Sequence, residues 1–130
     1  MTKHLTLLLI LSVGYSQQEY HLNDLLTINN GLFTEKFSNE PITGKVYGYF
    51  GENNKKVYIG NVRNGKEEGN WIWWYHNGQK SYEGTFKDGE RQGLHTSWYH
   101  NGQKENEVIF KDGEVIKLIG KWNEDSSLRE

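Results

Sequence analysis

Between Lys45 and Trp122 the apolar residues come in short aromatic and β-branched runs. Asn-Gly or Asp-Gly breaks these runs at regular intervals, and no stretch of ten residues carries a helical period. Runs of this kind are strands. Asn77-Gly78 and Asn101-Gly102 predict two-residue type I′ hairpin turns, in which both central residues take positive φ. Asn64-Gly65, Asp88-Gly89 and Asp112-Gly113 then turn the chain into the next hairpin. In that register Trp71, Trp73, Tyr75, Tyr82 and Phe86 share one face, while Ile72 and Trp74 share the other with Ser81 and Glu83. Either both faces are partly covered or a bulge changes the parity, and the glycines at 60, 69, 84 and 93 mark places for such a bend.

The pattern is periodic. Residues 69–92 and 93–116 match at 14 of 24 aligned positions and share the heptapeptide WYHNGQK, so the chain contains a true internal repeat. A weaker copy spans 45–68, and a truncated copy, KLIGKW, spans 117–122. Phe50, Trp74, Trp98 and Trp122 form one column through the copies, and Val62, Phe86 and Phe110 form another. The expected fold is all-β, a repeat array of antiparallel β-hairpins.

The flanks differ from the repeats. Leu5 to Val13 is an apolar run behind Lys3, and small residues follow at Gly14 and Ser16. Residues 1–16 therefore read as a secretory signal cut after Ser16, which predicts an exported protein, periplasmic or secreted. Residues 17–44 form a lead-in with short strands. Within it Glu19–Leu26 suits a strand or a helical turn, Thr27–Phe37 suits a hairpin turned at Asn30-Gly31, and Pro41 leads into the first repeat. The polar segment 123–130 is expected to be a frayed tail.

Composition narrows the function. Only 35% of residues are hydrophobic while 14% are aromatic, so large rings must supply much of the core. The net charge is −2 and no basic tract exceeds two residues, which argues against nucleic acid as a partner. The absence of cysteine excludes disulfides and thiolate metal sites. His76 and His100 repeat at the unit period but lack metal-ligand spacing, and the first copy has Glu52 there. Glu83 and Glu107 repeat too, and repetition at the unit period suits a solvent-facing strand position rather than acid–base chemistry, since the first copy has Ile59 there. No nucleophile elbow or phosphate loop occurs. The expectation is a non-enzyme with no catalytic residues, no cofactor and no metal.

The unit G-x-W-x-x-W-Y-x-N-G-Q, closed by K-D-G, resembles the bacterial variant of the MORN repeat, and the array is similar to the YwqK-type antitoxin family. The segment Gly31 to Phe50, with its P-x-T-G, resembles the lead-in of such arrays. The resemblance covers roughly residues 30–122. It implies a MORN-like meander forming a curved, twisted sheet that acts by binding rather than catalysis.

Two readings of the rings stay open. Trp74 and Trp98 are expected in the core. Tyr47, Tyr49, Trp71, Trp73, Tyr75 and Tyr82 are candidates for an exposed aromatic surface, the kind that marks a contact site. The expected function is a protein–protein interaction module or scaffold. The alternative is an envelope-associated binder of cell-wall glycan or lipid headgroups. Open edges at the ends of the array are sites where another chain could pair.

Overall fold

The computed structural model describes residues 17–27 and 31–130. The segment read as an export signal lies outside them, as does Asn30 of the expected Asn30-Gly31 turn. The strands are β1 (Glu19–His21), β2 (Leu25–Thr27), β3 (Phe33–Glu35), β4 (Gly44–Phe50), β5 (Lys55–Arg63), β6 (Lys66–Trp74), β7 (Lys80–Lys87), β8 (Glu90–Trp98), β9 (Lys104–Lys111) and β10 (Glu114–Lys121). Eight of them form one open sheet in the order β1-β4-β5-β6-β7-β8-β9-β10, and β2 and β3 form a separate pair. The repeats are therefore an antiparallel hairpin meander, as the sequence predicts.

The lead-in combines the two conformations that its sequence suits. Its first strand is followed by a 3-10 turn at Leu22–Asp24, where the His21 side chain accepts the Asn23 N–H. One feature departs from a pure antiparallel meander: β1 pairs with β4 in parallel, Tyr20 against Val46. The β2–β3 excursion between them supplies the crossover that a parallel pair requires.

Turn chemistry differs between the two rims of the sheet. On one rim Asn64-Gly65, Asp88-Gly89 and Asp112-Gly113 take positive φ at both residues, 50/79°, 48/79° and 50/82°. These are the type I′ turns. On the other rim the type I′ expectation fails, because Gly78 (φ 85°) and Gly102 (φ 83°) have positive φ but their asparagines do not. Asn77 Oδ1 accepts the Gln79 N–H at 3.0 Å. This Asx contact holds the asparagine in a right-handed turn. The loop is instead three residues long, closed by Tyr75 N–H to Gln79 O at 2.8 Å and Gly78 N–H to Tyr75 O at 2.9 Å. The extra residue would invert the face of every later side chain. A bulge cancels it: Trp74 pairs with Lys80 but Trp73 with Tyr82, leaving Ser81 over. Trp71 and Trp73 thus lie opposite Gly84 and Tyr82.

The same turn recurs where the sequence suggests a frayed tail. Asn123 N–H donates to Ser127 O at 2.8 Å, Ser126 N–H to Asn123 O at 2.9 Å, and Ser127 N–H to Asp125 Oδ1 at 2.9 Å. Ser126, at φ 68°, occupies the position of Gly78 and Gly102. The fourth unit therefore runs past Trp122, and Trp122 bridges back to Leu128. The turns are stapled unit to unit. Tyr75 Oη donates to Trp98 O at 2.7 Å and Tyr99 Oη to Trp122 O at 2.9 Å. Asn77 Nδ2 donates to His100 O and Asn101 Nδ2 to Glu124 O. Each of these donors satisfies a backbone carbonyl of the next unit, which is why tyrosine and asparagine recur in the heptapeptide.

The core lies on one face of the sheet, where the lead-in packs against the first units. Leu25, Ile42, Val46, Ile59, Val62 and Trp71 are buried together. A row of rings continues from it: Phe33 stacks on Trp71 at 5.7 Å, Trp71 meets Phe86 at 6.3 Å, Phe86 meets His95 at 5.4 Å, and His95 meets Phe110 at 4.8 Å. His95 stands where Trp71 stands one unit earlier. It is 2% exposed, its Nε2 faces Thr85 O at 3.0 Å, and Nδ1 contacts the Tyr82 hydroxyl. A neutral ring that donates from Nε2 and accepts at Nδ1 satisfies both partners.

Burial pushes the His95 imidazole below its ordinary value, and Arg91 acts in the same direction. The unfolded chain therefore takes up the proton first. The stability that His95 contributes is complete above about pH 6.5 and declines as pH falls from there toward the folded value. The depressed carboxylates, such as Glu83 beside the Lys80 ammonium, lose their contributions only at lower pH. Urea midpoints are expected to decline as pH falls below about 6.5 in the wild type and to flatten just below that pH in His95→Gln. An equal decline in both proteins would remove His95 as the cause.

Candidate binding surface

The six candidate aromatic residues do not form one surface. The pairing of β4 with β5 shifts between Val46↔Gly60 and Tyr47↔Tyr58, leaving Ile59 as an extra residue. Tyr47 therefore faces away from the core even though Trp71, its counterpart in the next unit, faces into it. Trp71 is 1% exposed, and its Nε1 donates to Asn61 O at 3.0 Å. It is a core residue and presents nothing to a partner. Trp73 is half-buried beside it, with ring centroids 5.9 Å apart. Tyr82 is tied to His95. Tyr75 is held on the rim by its bond to Trp98 O and by stacking on His100 at 3.7 Å.

Tyr47 and Tyr49 do come together, with centroids 5.9 Å apart. His21, carried in by the parallel strand, packs on both at 5.3 and 5.7 Å. Tyr58 joins from β5, and the Lys56 ammonium sits 4.1 Å from the Tyr47 ring and 5.3 Å from the Tyr58 ring. Glu19 accepts from Lys56 at 2.6 Å and from the Tyr58 hydroxyl. These contacts, Lys56 first, hold the Glu19 carboxyl below the usual carboxylate range, and Glu19 in turn raises the Lys56 and Tyr58 values. Tyr49 and Tyr58 are nearly half exposed, at 45% and 47%. The result is a polar-rimmed aromatic patch with an internally balanced charge pair.

A cleft of about 520 Å³ adjoins this patch where β1 gives way to the 3-10 turn. It is lined by His21, Asn23, Tyr49, Phe50, Trp73, Trp74 and His76 among others. Trp74 and Trp98, expected in the core, are half-buried and line surface cavities instead. His21, Tyr58, Lys56 and Glu19 were not among the sequence candidates. The tyrosine was visible in its strand, but the contribution of β1 depends on a parallel pairing that no local pattern announces.

No family model matches the chain, and neither a curated protein nor a solved structure matches it.

Proposed function

We propose that the chain is an exported, non-catalytic binding module that takes a protein partner on the patch of His21, Tyr47, Tyr49 and Tyr58. The observation that carries this reading is the cluster itself. Exposed tyrosines are held in place by ring contacts and by the Glu19–Lys56 pair, so little side-chain entropy remains to be lost on association. Tyrosines held this way are frequent anchors of interfaces. The resemblance to YwqK-type antitoxin arrays supports binding as the mode of action.

A photo-crosslinking residue placed at Tyr49 in native cells tests the reading, with the same residue at Asp112, on the distant rim, as control. One protein enriched at Tyr49 and absent at Asp112 is the expected result, in cell fractions where the chain begins at Gln17. Identical products at both positions would sink the patch as a specific site, and a full-length cytoplasmic chain would sink export.

A second reading, an envelope-associated binder of glycan or lipid headgroups, is favoured by a separate observation: aromatic-walled slots recur along the array. Of the two ligands the glycan suits them better, because the lysine that recurs in the slots, Lys56, Lys80 and Lys104, is ion-paired, and Lys55 in the first slot is accompanied by Glu52, whereas an anionic headgroup calls for an excess of basic charge.

A further inference from the structure

The repeat places one kind of slot on the sheet more than once. A cavity of about 540 Å³ is lined by Phe50, Lys56, Tyr58, Trp74 and Gly78 among others. Another, of about 440 Å³, is lined by Trp98, Gln103, Lys104, Trp122 and Ser126 among others. Two units of 24 residues, 48 positions, carry Phe50 to Trp98, Lys56 to Lys104, Trp74 to Trp122 and Gly78 to Ser126. The intermediate unit repeats the theme, with Lys80 Nζ 6.0 Å from the Trp98 ring.

The lysine that recurs in the slots is already ion-paired, and the first slot is lined in addition by Glu52 and Lys55, one charge of each sign. Lys56 pairs with Glu19 at 2.6 Å, Lys80 with Glu83 at 2.8 Å and Lys104 with Glu107 at 2.6 Å. A slot therefore offers an aromatic wall and a lysine whose charge a neighbouring carboxylate already balances. An anionic ligand would have to compete with the carboxylate that holds the lysine, and an apolar one would bury the ion pair at a cost. A neutral ring with an apolar C–H face and hydroxyls at its edge matches both parts.

Spacing narrows the ligand further. One unit adds two strands, so equivalent slots recur about every 9–10 Å across the sheet. In an extended β-1,4-linked pyranose chain the same ring face recurs at every second sugar, a length close to that spacing. We propose that the array binds a linear, neutral β-1,4-linked glycan running across the strands, one disaccharide per unit, with Trp74, Trp98 and Trp122 as successive stacking platforms. This rests on the glycan reading above and names its ligand class and subsites.

Titration calorimetry of the full chain with β-1,4-linked N-acetylglucosamine oligomers, from disaccharide to hexasaccharide, tests it. Affinity is expected to rise about tenfold for each added disaccharide, the scale of one stacking contact. Trp122→Ala is expected to remove the last increment and leave disaccharide binding in place. Should that variant fail to fold, the wild-type length series decides alone. Binding that does not depend on length overturns the one-disaccharide-per-unit register while leaving a glycan ligand. No binding at any length overturns the glycan reading as well.

Discussion

Replacing Trp71 with alanine is expected to destabilise the protein by about 3–5 kcal/mol, the usual cost of emptying a core tryptophan site. Trp71 is where the lead-in meets the array. Phe33 stacks on it from above, Trp73 and Phe86 flank it, and its Nε1 satisfies the Asn61 carbonyl. The loss combines the transfer term of a bicyclic ring, a cavity that strands on both sides keep from collapsing, and an orphaned carbonyl costing about 1–3 kcal/mol more if left dry. Against a total stability of order 5–15 kcal/mol this is severe. Because neighbouring repeats stabilise one another through shared interfaces, the later units should lose protection from hydrogen exchange less than β4–β6 does. Thermal and urea unfolding with site-resolved exchange measures both effects. A loss below about 1 kcal/mol would show that the ring is not the centre of the core. Ile116→Ser on β10, where the side chain is 61% exposed, is the control and should stay within about 0.5 kcal/mol.

Gly60→Ala is expected to cost about 1–3 kcal/mol by overpacking, through the same tryptophan. A Cβ at position 60 would stand 2.4 Å from Trp71 Cδ2 and 2.5 Å from Cε2, with φ outside the left-handed region. The obstacle is steric and arises from a rigid ring that Phe33 and Phe86 hold in place, so it cannot swing aside as a flexible chain end would. The diagnostic is non-additivity. In a Trp71→Ala background the added methyl enters the vacated space, and its cost should fall to near zero or change sign. Equal costs in the two backgrounds would assign the glycine a purely backbone role. The chain repeats this relation. Gly84 lies beneath His95, where a Cβ would stand 2.2 Å from Nδ1. In the next unit Val108 replaces the glycine and Ile119 the ring. A glycine accompanies a flat ring and a β-branched residue accompanies an aliphatic one, which is what close packing between adjacent strands demands.

Local chemistry in the sequence determined the array. Asn64-Gly65, Asp88-Gly89 and Asp112-Gly113 form type I′ turns because asparagine or aspartate followed by glycine tolerates two successive positive φ values, whereas the same dipeptide at Asn77-Gly78 and Asn101-Gly102, where the sequence predicts a type I′ turn, closes a three-residue loop. The 24-residue period determined that hairpins stack on hairpins, and the strand-forming runs between the turns determined an all-β meander. Only the tertiary structure decided which way the rings face. In a two-residue period one extra residue inverts every side chain beyond it: in β7 Ser81 offsets the odd residue of the three-residue loop, while in β5 Ile59 follows the even loop 51–54 and is offset by nothing. For this reason Tyr47 and Trp71, equivalent by sequence, ended on opposite faces. Tertiary contact also decided that β1 lies parallel to β4 and brings His21 and Glu19 to the tyrosine patch, since pairing across a crossover leaves no mark in local spacing. It decided, too, that residues 123–128 repeat the turn of the earlier units. There Ser126 adopts the left-handed conformation of the missing glycine, and the preceding unit supplies the Asn101 bond to the Glu124 carbonyl that holds the turn in place.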